Sequence, residues 1–181
     1  MNIQKTKKRN HIAVYGPRQS ERFDEDTLLS LALNLGKIIS QKDFILGIPM
    51  VPGFSYWTAK GAKKANSCCV IGFSPAANKE EHQTHYGFPT KFVDTIIYTG
   101  FGSTGAELFL SRSSDIVLFV HAGIDLYHAF LVAREQQKDI RFFTDPSLGK
   151  DELLSYLKEK GEVKEGDFLV TNSIESICSL N

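Results

Sequence analysis

The sequence predicts a doubly wound α/β sandwich, three layers thick, on a mainly parallel sheet of about six or seven strands. Two observations carry that prediction. Short apolar runs recur along the 181 residues, and most are apolar throughout, as strands buried on both faces are. Segments with helical spacing lie between them, so the patterns alternate as β and α along the chain. Right-handed crossovers turn such an order into a parallel sheet covered on both sides, a Rossmann-like arrangement.

The first run, His11-Ile12-Ala13-Val14-Tyr15, ends at Gly16-Pro17, a strand meeting a turn. Residues 25 to 40 then place Leu28, Leu31, Leu35, Ile38 and Ile39 on one helical face. Phe44 to Ile48 reads as the second strand, stopped by Pro49 and Pro52. Tyr56 to Ala65 suits a helix, and Cys68 to Phe73 a third strand. From Ser74 to Phe92 the chain is polar and broken by Pro75, Gly87 and Pro89, which predicts a long surface loop. Asp94 to Tyr98 is the fourth strand, with a helix near Thr104 to Ser111 after it. Ile116 to Val120 is the fifth strand, and a helix runs from Leu126 to about Lys138. Ile140 to Phe143 is the sixth strand. Asp151 to Lys160 forms a helix closed by Gly161. Phe168 to Thr171 is a last short strand before a terminal helix.

Composition bounds the function classes. The chain is 42% hydrophobic and 23% charged, ordinary for a globular protein, and long enough for one domain with a substantial core. We read residues 1–10, with the basic cluster Lys5, Lys7, Lys8 and Arg9, as a flexible lead-in to a single domain over 11–181. Lys+Arg and Asp+Glu both number 21, so no bulk charge favours nucleic acid or an anionic membrane. Three cysteines, two of them adjacent, make no disulfide framework. No apolar run reaches transmembrane length and no signal-peptide core is present, which predicts a cytoplasmic protein.

In open α/β sheets, the strand C-terminal ends share one edge, where ligands bind. Four turns meet there. They hold Gly16, Arg18 and Ser20; Gly53, Phe54 and Ser55; Thr99, Gly100, Gly102, Ser103, Thr104 and Gly105; and His121, Gly123 and Asp125. Glycines let backbone approach a ligand, and a helix start offers free N–H groups to anions. The third turn is the best phosphate cradle on this reading, and Arg18 adds a charge-assisted partner. The same glycines also serve backbone geometry, and Ser103 or Thr104 is a natural helix N-cap.

His121 and His128 flank the fifth-strand turn as possible acid/base groups. His82 and His85, beside Glu80 and Glu81, form an H-x-x-H cluster that is weak evidence for metal without cysteine partners. We therefore assign no metal site and no catalytic residue. No G-x-S-x-G elbow and no P-loop signature occurs.

The order of these motifs resembles the superfamily of lonely-guy (LOG) phosphoribohydrolases, lysine-decarboxylase-like proteins and molybdenum-cofactor carrier proteins. The resemblance covers roughly residues 10 to 145. It rests on His11 to Gly16, on Gly53-Phe54-Ser55-Tyr56-Trp57-Thr58-Ala59-Lys60-Gly61-Ala62, on Tyr98 to Phe101, and on Leu110-Ser111-Arg112-Ser113-Ser114-Asp115. It implies a Rossmann-like fold, a homodimer, and a nucleotide or phosphorylated small molecule as ligand, without naming a cofactor.

Departures from the family pattern concern its chemistry. The Gly-Gly-Gly stretch after the second strand falls on Pro49-Met50-Val51. The P-G-G-x-G-T-x-x-E motif falls on His121 to Ala129, with Asp125 at a glycine, Leu126 at the threonine and Ala129 at the catalytic glutamate. The family arginine falls near Gly105-Ala106-Glu107 and is absent. The resemblance thus implies a binding protein that has lost phosphoribohydrolase activity. An enzyme using His121, His128 or Asp125 instead, and a structural subunit with a vestigial site, are the alternatives.

Overall fold

Seven strands form in the computed structural model of the chain, which describes residues 9–18, 24–65, 68–164 and 166–179. They are β1 (His11–Tyr15), β2 (Ile45–Pro49), β3 (Cys69–Ser74), β4 (Thr95–Tyr98), β5 (Ile116–Val120), β6 (Asp139–Phe143) and β7 (Leu169–Thr171). Between and after them lie α1 (Glu25–Gln41), α2 (Phe54–Lys64), α3 (Lys79–Thr84), α4 (Gly102–Ser113), α5 (Tyr127–Glu135), α6 (Glu152–Glu159) and α7 (Ile174–Ile177). Every strand pair is parallel, in the order β4-β3-β2-β1-β5-β6-β7. The predicted fold class and strand number hold.

Side-chain alternation along β1 feeds two cores. Ile12 and Val14 face a layer that includes Leu28 and Leu35 of α1, Ala59 of α2 and Ile177 of α7. Ala13 and Tyr15 face Leu110 of α4, Phe130 of α5 and Leu154 of α6. β5 is buried at every position, as a strand between two helical layers must be. Asn10 already gives its carbonyl to Ile45 N–H (2.9 Å), and Arg9 pairs with Asp43 at 3.1 Å. Residues 1–8 of the expected lead-in lie outside the described residues.

Helices α1 and α2 touch backbone to backbone. A Cβ on Gly36 would stand 2.0 Å from the Thr58 carbonyl oxygen, and one on Gly61 would stand 2.3 Å from that of Leu33. No side chain fits either place.

The segment 74–92 departs from its expected loop: it contains α3. Asn78 caps this helix by accepting Glu81 N–H (2.9 Å), while Glu81 turns back to accept Ala77 N–H (2.8 Å). This is the logic of a capping box, and Asn78-Lys79-Glu80-Glu81 is its sequence signature. Overall polarity concealed it, since only His82 of α3 is buried. His82 donates Nε2–H to the Pro89 carbonyl (3.1 Å) and meets the Ser74 hydroxyl at Nδ1 (2.8 Å). The H-x-x-H cluster thus has its first imidazole committed to the fold. Among the described residues no group of three or more His, Cys, Asp or Glu is placed to hold a metal ion.

Cys68 and Cys178 are free and buried, and burial pushes both thiols up to about 11. Both behave as small hydrophobes. Arg141 in β6 is buried too; its guanidinium donates to the Ile177 and Ser179 carbonyls and pairs with Asp139, tying the C-terminal segment to the sheet.

Candidate functional site

The chain winds outward from β1 through β2 and β3 to β4, then returns to place β5 on the other side of β1. The order reverses between β1 and β5. At that point the crossovers leave to opposite faces, which is where open α/β sheets usually have their ligand crevice, beyond the strand C-terminal ends. Ile12 to Tyr15 pair with Ile116 to Phe119, which sets the two following turns side by side.

The turns after β1 and β2 interlock. Arg18 forms an antiparallel bridge with Gly53, and Phe54 N–H donates to the Pro17 carbonyl (3.0 Å). Gly53 sits at φ +122°, backbone that side-chain-bearing residues rarely adopt. A Cβ on Gly16 would lie 2.7 Å from the Phe54 ring, so Gly16 makes room for Phe54. Phe54 itself is fully buried, and Ser55 is buried beside it. Of these candidates Arg18 presents a side chain outward. Ser20 lies outside the described residues.

The Thr99–Gly105 turn does not join this group. β4 is three strands from β1, roughly 14 Å at about 4.8 Å per strand. Gly100 and Gly102 both have positive φ, and their N–H groups donate to the carbonyls of Ala76 and Pro75 (3.0 and 3.2 Å). These amides lock the turn onto the segment after β3. α4 starts at Gly102, with Phe101 at the cap position, so neither Ser103 nor Thr104 caps it.

The turn after β5 is also held internally. His121 takes a left-handed backbone (φ +42°), is buried, and accepts Asp145 N–H at Nε2 (2.7 Å). The next amide, Ala122 N–H, donates to the Asp151 carboxylate (3.3 Å). A Cβ on Gly123 would strike Asp125 Oδ1 at 2.5 Å. His128 points elsewhere, into α4. The two histidines therefore do not form one acid/base pair.

The group that does converge on the crevice was read only in fragments from the sequence. Tyr15, at the end of β1, donates its hydroxyl hydrogen to the Glu107 carbonyl (2.9 Å) and meets Ser111 Oγ at 2.8 Å. That seats α4 over β1 and brings Glu107 against His128 of α5, where the carboxyl Oε2 and the imidazole Nε2 are in contact. The Glu107 side chain is 6% exposed and that of His128 38%. Burial raises the Glu107 carboxyl above its ordinary value; His128 and Arg18 oppose that rise and Asp125 adds to it. Glu107 thus feels charged groups from the crossovers after β1 and β5 as well as its own burial. Glu107 carried a sequence signal: it lies three and four residues before Leu110 and Ser111, on the buried face of α4.

A cavity of about 560 Å³ lies elsewhere, lined by Lys158, Val163, Lys164, Gly166, Phe168 and Val170. Val163, Lys164, Gly166 and Phe168 approach β7 from its N-terminal side, away from the strand ends where crossovers converge. The β1–β5 crevice is the better candidate, because it combines the topological position with a carboxyl of perturbed acidity.

Comparison with known proteins agrees with this architecture. Residues 9–178 match the model of the SLOG cluster4 family. Among solved structures, the chain is similar to the molybdenum cofactor binding protein from Rippkaea orientalis (24% identity, TM-score 0.70, covering 94% of this chain and 93% of that one). It is also similar to the molybdenum cofactor carrier protein from Chlamydomonas reinhardtii (22% identity, TM-score 0.69, 94% of each chain). DNA processing protein A from Helicobacter pylori, described for its single-stranded DNA binding mode, shares the fold at 12% identity (TM-score 0.64, 93% of this chain and 78% of that one). A search of curated proteins found no match.

Proposed function

The chain belongs to the SLOG cluster4 family, and from that premise we propose that it binds a nucleotide, a nucleotide-derived cofactor or another phosphorylated small molecule in the β1–β5 crevice, without hydrolysing it. One observation carries the reading: the strand order reverses between β1 and β5, and the segments that flank that reversal carry Arg18, Asp125 and the Glu107–His128 contact. In this reading Gly16 and Gly53 shape the floor, Arg18 and His128 supply donors, and Gly123 to Asp125 border the opening. The similar structures named for the molybdenum cofactor make that compound one candidate within the class.

Absence of hydrolysis rests on side chains. The position that the LOG resemblance gives to the catalytic glutamate is Ala129, fully buried in α5. The region of the family arginine holds Ala106 and Glu107, which reverses the charge. Without that carboxylate and that cation, no acid/base group and no ribose or phosphate anchor stand at the family's positions. The Glu107–His128 contact favours a second reading, an enzyme with altered residues, because a carboxylate-held imidazole is a general base.

The test is a thermal-shift screen of nucleoside monophosphates, dinucleotides, the molybdenum cofactor and a single-stranded oligonucleotide, followed by chromatography of the nucleotides after incubation. We expect a rise in melting temperature with at least one small phosphorylated compound and no free base. No shift across the panel would sink the binding reading. Base release that His128→Ala abolishes would establish the enzyme reading, and binding of the oligonucleotide alone would replace both. We further propose a homodimer, on the family resemblance; sedimentation velocity at monomer mass would refute it.

A further inference from the structure

Helix α4 is apolar on two opposite faces. Its inner face places Ala106 and Leu110 in the core beside Phe73. Its outer face carries Phe101 at the cap position, then Gly105, Leu108 and Phe109 at helical spacing. Phe101 is 70% exposed, Phe109 44% and Leu108 40%. Ile97 of β4 extends the same surface. It pairs with Phe73, so it lies on the α4 side of the sheet, and it is 42% exposed on the edge strand. Gly105 shows that the patch is built. A Cβ there would stand 2.3 Å from the Phe101 Cβ, so the helix gives up a side chain to let Phe101 lie along it. The Phe101 ring then sits 5.9 Å from that of Phe109, centroid to centroid. A surface helix normally turns charged residues outward, and one that is apolar all round is buried. Besides the inward Glu107, the one charged residue of α4 is Arg112.

We propose that this face is the contact between two copies of the chain, α4 against α4 across a two-fold axis. The inference rests on the homodimer reading and assigns it a surface. Area supports a protein partner. Phe101 and Phe109 alone leave roughly 200 Å² uncovered, at about 150–250 Å² per aromatic side chain. With Ile97 and Leu108 the patch reaches the few hundred Å² that mark an interaction site on a monomer. It supplies the apolar centre of an interface of about 800 Å² per partner, with the exposed Thr95, Thr104 and Arg112 in its rim. Charge selects the second copy. One arginine offers little to steer a foreign partner or an anionic lipid surface. Lys+Arg and Asp+Glu balance at 21 each, so two copies meet without net repulsion. A two-fold contact sets a patch against itself, and an apolar patch with so little charge is its own complement.

Sedimentation velocity of the full chain over a concentration series tests this with Phe109→Glu. The control is Leu169→Glu, which puts the same charge on an apolar residue of similar exposure in β7, at the far edge of the sheet. Wild type and Leu169→Glu should sediment as dimers with the same dissociation constant. Phe109→Glu should weaken the dimer about a hundredfold or more, because each copy would bury a carboxylate without a partner. A Phe109→Glu variant that is folded by circular dichroism and dimerises like wild type overturns the proposal, while leaving the homodimer reading intact. A dimer that Leu169→Glu disrupts equally overturns the choice of face. Wild type at monomer mass throughout removes both the face and the homodimer. Should Phe109→Glu fail to fold, hydrogen exchange of the wild type above and below its dissociation constant decides. Slower exchange in the dimer centred on residues 95–113 supports the proposal, and protection centred elsewhere overturns it.

Discussion

The two faces of the sheet are covered by helix pairs of opposite character. On one face α1 and α2 meet through Gly36 and Gly61, where even a methyl group would collide with backbone. On the other, α4 and α5 meet with Glu107 against His128, a buried carboxyl on a half-open imidazole. The first pair has given up side chains for close approach. The second has accepted the cost of burying a polar carboxyl, which is tolerated where a partner is at hand. The contrast is one of composition: one face is closed by backbone contact, while the other keeps a carboxyl and an imidazole in an otherwise apolar layer.

The sharpest way to break this comparison is Gly61→Val. The branched side chain would be driven into the Leu33 backbone, and we expect a loss of roughly 3 kcal/mol or more in chemical denaturation, with the fold itself at risk. A loss below about 1 kcal/mol would mean that α1 and α2 slide apart freely, and the close-packed face would lose its meaning.

Tyr15→Phe probes the other face. It removes a buried hydroxyl and leaves the Ser111 hydroxyl without that partner. We expect about 1–2 kcal/mol by the same measurement, since a satisfied buried hydrogen bond is lost but little volume changes. A loosened α4 should also weaken whatever the crevice binds.

Glu107→Gln gives the smallest effect on stability and the most informative one. Burial raises the pKa of Glu107 in the folded state above the ordinary 4.5, so ionised Glu107 opposes folding. The contribution of Glu107 to stability is full below about pH 4.5 and is lost as pH rises through the shifted value. The variant should therefore melt slightly above wild type at neutral pH, with the gap closing in acid. A variant that melts below wild type at neutral pH would show that the pair with His128 outweighs the cost of burial.

Much of this was legible in the chain. Strands β1, β2, β3 and β5 announce themselves as largely apolar runs, β6 as Ile140, Phe142 and Phe143 around a buried Arg141, and α1 by its periodic leucines. Helix α3 was legible too, through Asn78 and Glu81, but the polarity of its surroundings masked a local capping signal. The site was harder. The turns holding Gly16, Gly53 and Gly100 all look alike in sequence, yet Gly16 serves Phe54 and Gly100 serves the segment after β3. A glycine's identity reports that space is needed; what fills the space is decided by another part of the chain.

The sequence by itself determined the fold class, because hydrophobic periodicity is a local property that each segment carries with it. It also determined the family, through motifs that stay in order along the chain. Only the tertiary structure decided which turns lie side by side at the candidate crevice. Strand order is a long-range choice, and it alone put β5 beside β1, separated the Thr99–Gly105 turn from the crevice, and closed Glu107 onto His128 across 21 residues of chain.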